Sequence, residues 1–225
     1  MDKHTPYYEL LEAIRDTGCP ICRLAIRSGD RFLETYSYEH VNDIEIRDLV
    51  RAAKGFCHNH TWRLFHEHSP LGTALTYYDI LGEASQQIAA VREQQGFLSS
   101  LAGRVRKALT PQGTCLGCDA QSNAEQRHMG LLLETLRGDR EAQDTYGMSD
   151  GLCLLHMRAA LRSRSPRDAT EILLRVQEKR IAAVREQMSE IVRKADYRVK
   201  DRVTPEDIDS LPAALAQVVG KEALE

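Results

Sequence analysis

Six cysteines and two histidines carry most of the chemistry this sequence can do. Cys19 and Cys22 form a C-x2-C pair, and Cys57 with His60 forms C-x2-H inside the stretch GFCHNH at residues 55–60. A shift of 96 residues brings Cys19, Cys22, Cys57 and His60 onto Cys115, Cys118, Cys153 and His156, and Gly55 onto Gly151. The same shift carries His58 onto Leu154, so His60 and not His58 belongs to the pattern. Three thiolates and one imidazole are the donor set of a closed tetrahedral zinc site. Taken in chain order, one set is Cys19, Cys22, Cys57 and His60, and the other is Cys115, Cys118, Cys153 and His156. Ligands shared between the two halves are the alternative that this spacing leaves open.

The local geometry suits a metal. A C-x2-C pair wraps an ion tightly, because residues i and i+3 share a face in the first turn of a helix. Gly55 and Gly151 sit just before the second ligand pair, where a sharp backbone reversal favours glycine. Haem attachment needs C-x-x-C-H, and Arg23 and Asp119 stand at the histidine's place. A thioredoxin-like dithiol needs a strand-to-helix context, and no β-pattern accompanies these cysteines. An iron–sulfur cluster is compatible with the same ligands and stays open as an alternative. The expectation is zinc, two per chain, with no catalytic residue assigned.

Charge follows from that choice. Each Zn2+ with three thiolates carries −1, so two sites take the formal −3 to −5. Arg23 and Arg27 lie near the first knuckle and offset it, whereas Asp119 beside the second does not. The second site is therefore expected to be shielded by apolar packing more than by charge.

The elements that must position these residues read as helical throughout. Tyr7, Leu10, Leu11 and Ile14 mark an amphipathic first helix ended by Gly18, and a second runs from about Arg23 to Tyr38. Asp43 in VND caps a short helix bearing Ile46, Leu49 and Val50; the helix holding Cys57 and His60 follows and stops before Pro70. A long helix from about Leu71 carries Ala74, Tyr78, Leu81, Ser85, Ile88 and Val91 on one stripe, and Phe97 to Leu109 continues as helix. In the second half Met129, Leu132, Leu133 and Leu136 line a helix, and Ser149-Asp150 caps the ligand helix. Pro166 opens a long helix with Ile172, Leu173, Val176, Val184, Met188 and Ile191 as its apolar stripe. The segment IAAVREQ occurs at 88–94 and again at 181–187. Thr204 and Pro205 then start a short helix, and Pro212 separates it from another reaching about Val219.

The chain therefore reads as all-α, a duplicated helical bundle with two Cys3His metal knuckles. The expected parts are a first helical zinc repeat at 1–110, a second at 111–195, and a C-terminal tail at 196–225 packing on the bundle.

On CPICRL (19–24), VND (41–43), GFCHNH (55–60), LGTA (71–74), YYD (77–79) and KADYR (194–198), the chain resembles an uncharacterised family of prokaryotic proteins of unknown function. The resemblance covers nearly the whole chain and implies a recurring two-knuckle helical layout, with no activity attached. CLGC and GLCLLH depart from the family-like forms but keep every ligand.

Function is bounded more than named. Acidic residues outnumber basic ones, 33 to 30, which argues against nucleic acid despite the basic stretch GRVRKAL (103–109) and Arg162, Arg164 and Arg167. No apolar run is long enough to span a bilayer, and six cysteines read as ligands in a reducing, cytoplasmic setting. No serine elbow, phosphate loop or H-E-x-x-H helix is present. The expected role is binding, to protein or to a small ligand. The competing readings are a redox or iron–sulfur enzyme, with His58, His66 and His68 opening the first site, and a nucleic-acid-binding zinc protein. Asp79 and Asp196-Tyr197-Arg198 are candidates for lining a cleft, or for capping helix ends.

Overall fold

The computed structural model describes residues 4–93, 101–162 and 167–221, and every regular element among them is helical. In chain order these are α1 (Thr5–Arg15), α2 (Pro20–Thr35), a π-helical turn (Tyr36–His40), α3 (Ile44–Ala52), α4 (His58–Glu67), α5 (Pro70–Glu93) and α6 (Leu101–Leu109). Then come α7 (Leu116–Gly138), α8 (Arg140–Gly147), α9 (Leu154–Arg162), α10 (Arg167–Lys194), α11 (Pro205–Asp209) and α12 (Leu211–Val219). The expected starts at Phe97 and Pro166, and Ser165 and Arg164 with them, lie outside the described residues.

The chain forms two compact units whose boundaries fall inside α2 and α7. The first unit joins Met1–Ile26 to Asn123–Leu224; the second is Arg27–Ser122. Neither unit coincides with a sequence repeat.

In the first unit, the apolar spacing of α1 does what it predicts: Tyr7, Leu10, Leu11 and Ile14 are each at most 2% exposed. They share a core with Leu132, Leu136, Tyr146, Leu152 and Leu173. Gly18, at φ +84°, turns the chain into the first knuckle. The C-terminal segment is held by two devices. Thr204 and Asp207 form a reciprocal capping box at the start of α11. Gln217 on α12 donates to the Leu152 carbonyl at 2.6 Å, and α12 packs on α9 and α10.

In the second unit the core is Leu33, Tyr36, Val50, Phe56, Leu64 and Ile80, with the Tyr36 and Phe56 rings edge to face at 5.0 Å. Asp43 caps α3 as its position predicts, accepting from Glu45 and Ile46. Helix α5 departs from its expected stripe. The buried line is Gly72, Thr76 and Ile80, while Tyr78 is 80% exposed and Leu81 68% exposed. Contact geometry chose this face, not hydrophobicity. A Cβ on residue 72 would lie 3.1 Å from the Ser37 carbonyl, and Tyr36 bonds Thr76 at 2.6 Å. Small and hydroxyl-bearing residues let α5 approach the π-helical turn closely, so the larger side chains stay outside.

Candidate metal centres

Each C-x2-C pair and each C-x2-H pair starts a helix. Cys19 directly precedes α2 and Cys22 lies in its first turn; Cys115 and Cys118 stand the same way on α7. Cys57 occupies the N-cap of α4 with His60 one turn in, and Cys153 and His156 open α9 alike. Gly55 (φ +103°) and Gly151 (φ +70°) make the reversals expected of them.

The structure joins these pairs crosswise. Cys19, Cys22, Cys153 and His156 form one cluster, in the first unit; Cys57, His60, Cys115 and Cys118 form the other, in the second. In each cluster all four ligand atoms lie within 4.8 Å of one another. Pairing within each half is thereby overturned: each C-x2-C meets the C-x2-H of the other half.

The two clusters have matching internal geometry. In the first, His156 Nδ1 is 3.5, 3.3 and 3.2 Å from the sulfurs of Cys19, Cys22 and Cys153, and Cys22 Sγ is 3.7 Å from Cys153 Sγ. In the second, His60 Nδ1 is 3.0, 3.6 and 3.5 Å from Cys57, Cys115 and Cys118, and Cys118 Sγ is 3.6 Å from Cys57 Sγ. No cysteine is in a disulfide. Two helix N-termini converge on each cluster, α2 and α9 on one, α4 and α7 on the other, and their positive ends favour a net negative complex.

Their surroundings differ. All four ligands of the first cluster are buried; in the second, only His60 is. The Cys115–Cys118 knuckle is the more open one, although Cys115 packs against the apolar core of the second unit as expected. Glu125 places Oε1 3.5 Å from His156 Nε2, the outer carboxylate that fixes a ligand imidazole by its free nitrogen. Residue 125 is seven positions beyond Cys118, two turns along the same face of α7, a spacing visible in the sequence. At the second cluster Gly117 packs under the ligand ring, where a Cβ would meet His60 Cγ at 2.7 Å. CLGC carried that signal too.

In the metal-free chain each cluster shares protons among its members. Burial disfavours a charged His156, but the hydrogen bonds it donates to the Cys153 and Cys19 sulfurs outweigh it and push the imidazole up to about 11. Its bond to Cys153 holds the Cys22 thiol far above the usual range, while bonds from Cys19 and Cys22 hold Cys153 far below it. Burial works against a Cys115 thiolate, yet the hydrogen bond from His60 prevails and lowers it to about 6. A metal ion displaces such protons on binding.

Other expected site residues lie elsewhere. His58 and His66 flank Trp62 on the open side of α4, with ring centroids 6.3 and 5.8 Å from the indole, and neither joins a cluster. Asp79 pairs with Arg47 of α3 and lines an open cleft of about 670 Å³ with Asp48, Arg51, Tyr78 and Glu83; it caps no helix. Asp196 accepts the Arg198 backbone N–H at 2.9 Å beyond the end of α10. Ser149 and Asp150 do not cap α9. Asp150 instead accepts the Gly18 N–H at 2.7 Å and pairs with Arg180 at 3.1 Å, tying the first knuckle to α10. Arg23 donates to the Thr17 carbonyl and pairs with Asp16, bracing the same loop.

The chain is similar to an "Uncharacterized 23.9 kDa protein in xynA 3'region" of Caldicellulosiruptor sp. (strain Rt8B.4). The two are 22% identical over 219 residues, spanning 95% of this chain and 100% of that relative. No solved structure matches the chain. A family profile described as "Family of unknown function (DUF6062)" matches residues 8–224, a range that contains both clusters, and the chain belongs to that family.

Proposed function

We propose that this chain is a helical binding protein in which each Cys3His cluster holds one structural zinc ion, two per chain. The separations between ligand atoms carry the reading. A tetrahedron with Zn–S near 2.3 Å and Zn–N of about 2.0–2.1 Å has S···S edges of about 3.8 Å and S···N edges of about 3.6 Å. The Cys22–Cys153 and Cys57–Cys118 separations, one S···S edge in each cluster, are 3.7 and 3.6 Å, and five of the six S···N separations lie between 3.2 and 3.6 Å. The sixth, Cys57 to His60, is 3.0 Å. In an iron–sulfur cluster the ligands sit on several irons and stand further apart, so a single ion fits these groups better. Four protein ligands fill zinc's coordination and leave no place for a reacting water, which favours a structural role. Thiolate ligands suit the reducing cytoplasm.

A small ligand has a place to bind in the first unit. A cleft of about 380 Å³ is lined by Cys19, Arg23, Asp150, Arg180, Gln217 and Lys221, among others. Arg23, Arg180 and Lys221 give the lining positive charge beside Asp150 and Asp209. Guanidinium groups suit a carboxylate or phosphate. Two measurements test the proposal. Element analysis and a visible spectrum of protein purified without oxygen should show two zinc ions and no colour; a brown protein absorbing near roughly 400 nm would overturn the zinc assignment. A thermal-shift series with inorganic phosphate and small dicarboxylates should stabilise the native chain and not Arg180→Met. Equal shifts in both would remove the cleft from the argument.

A further inference from the structure

We infer that the second cluster is an oxidation site: a hydroperoxide converts Cys57 and Cys118 to a disulfide and releases the ion they hold, while the first cluster keeps its ion. This rests on the two-zinc reading and assigns distinct behaviour to its two sites.

The argument starts from access. A thiolate reacts with a peroxide only where the oxidant can reach its sulfur. Cys57, Cys115 and Cys118 are all partly exposed, although His60 beside them is 2% exposed. In the first cluster Cys22 is fully buried and Cys153 is 1% exposed; Cys19, bordering the cleft, is the most open at 9%. Any oxidation started at Cys19 has to be completed by a buried partner. The Cys22–Cys153 and Cys57–Cys118 sulfur separations do not distinguish the clusters, at 3.7 and 3.6 Å. Burial does, and so does outer support, since Glu125 braces His156 from the far side of its ring.

The chemistry is balanced by the two thiolates, one hydrogen peroxide and two protons from the surrounding water. The Cys118 thiolate attacks one peroxide oxygen; an S–O bond forms, the O–O bond breaks, and the leaving oxygen departs as water after taking a proton. The Cys57 thiolate, 3.6 Å away, then attacks the sulfenic sulfur. An S–S bond forms, the S–O bond breaks, and the second oxygen leaves as water with a second proton. Two thiolates are oxidised by two electrons and one hydrogen peroxide is reduced to two waters. Only Cys115 and His60 remain as ligands, too few to hold the ion. Because Cys115 and Leu116 pack against the core of the second unit, the change reaches Phe56 and Leu64.

The test uses the whole zinc-loaded chain, reduced and free of excess thiol. Total zinc is measured first, and a value other than two per chain counts against the two-zinc reading itself. Hydrogen peroxide is then added with a chromogenic zinc chelator present, and non-reducing peptide maps are taken over time. The expected result is one zinc per chain released at least about tenfold faster than the other. A Cys57–Cys118 disulfide should form in step with it, and dithiothreitol with added zinc should reverse both. Release of both ions together, or first oxidation at Cys19, Cys22 or Cys153, would overturn the inference.

Discussion

Gly117 lies directly against the imidazole of His60, so close that a methyl group at 117 would meet His60 Cγ at 2.7 Å. The second residue between the two knuckle cysteines is thus fixed by a ligand that comes from 57 positions earlier in the chain. Overpacking of a tight site costs about 1–3 kcal/mol, or roughly fivefold to 150-fold in an equilibrium constant. Gly117→Ala should weaken zinc at the second cluster by that factor and leave the first unchanged. Chelator competition with the two ions resolved reads both; equal weakening at both would show that the contact is not what matters.

Crosswise ligation changes what a cysteine variant does. Trp62 is on α4 two residues past His60, and at 49% exposure it already meets water. Its emission should therefore respond to metal more in intensity than in wavelength, through the stacked His66 ring at 5.8 Å. Cys115→Ser should abolish that response to chelator and zinc, and Cys19→Ser should leave it intact. The reverse pattern would restore ligation within each half.

The eight cysteine and histidine positions of the two groups were legible in the sequence, and their crosswise grouping was not, for a physical reason. Cysteine spacing and the glycines at 55 and 151 are local facts, written in φ and in the first turn of a helix. Which knuckle meets which histidine is a contact between residues 55 and 137 positions apart, which no local pattern encodes. The apolar faces of α1 and α10 were legible because burial alone selects them. The face of α5 was not, because a close backbone approach at Gly72 and the Tyr36–Thr76 hydrogen bond outweigh the larger apolar side chains. Likewise Asp150 has the sequence of a helix cap, yet Gly18 and Arg180 claim its carboxylate.

Glu125 gives the first cluster a support whose loss is measurable. Outer-shell carboxylates on ligand histidines typically account for about 10–100-fold in metal affinity. Glu125→Gln, which keeps the shape and removes the charge, should weaken zinc at the first cluster within that range. The second cluster, without Glu125 near it, should hold zinc as before. Isothermal competition against a chelator of known affinity checks this, and an unchanged first site would mean that the 3.5 Å approach to His156 contributes nothing.

Asp150 links the first metal cluster to the long helix behind it, and its removal should separate local from global stability. Its carboxylate accepts the N–H of Gly18, one residue before the ligand Cys19, and its other oxygen meets Arg180 on α10. Both partners are left unpaired when the side chain is cut back. A hydrogen bond involving a charged group contributes about 1.5–3 kcal/mol, and the Arg180 pair, about a quarter exposed on each side, adds less after solvent screening. Asp150→Ala should therefore destabilise the first unit by about 2 kcal/mol. A bound structural zinc is worth on the order of 10–16 kcal/mol in small peptides, so the ion should stay in place. Hydrogen exchange should show the loss as faster opening of the Gly18–Cys22 turn and the adjoining part of α10, with the amides around Cys57 and Cys115 unaffected. Release of zinc from the first cluster in Asp150→Ala would mean that this carboxylate, and not the four ligands, holds the knuckle closed.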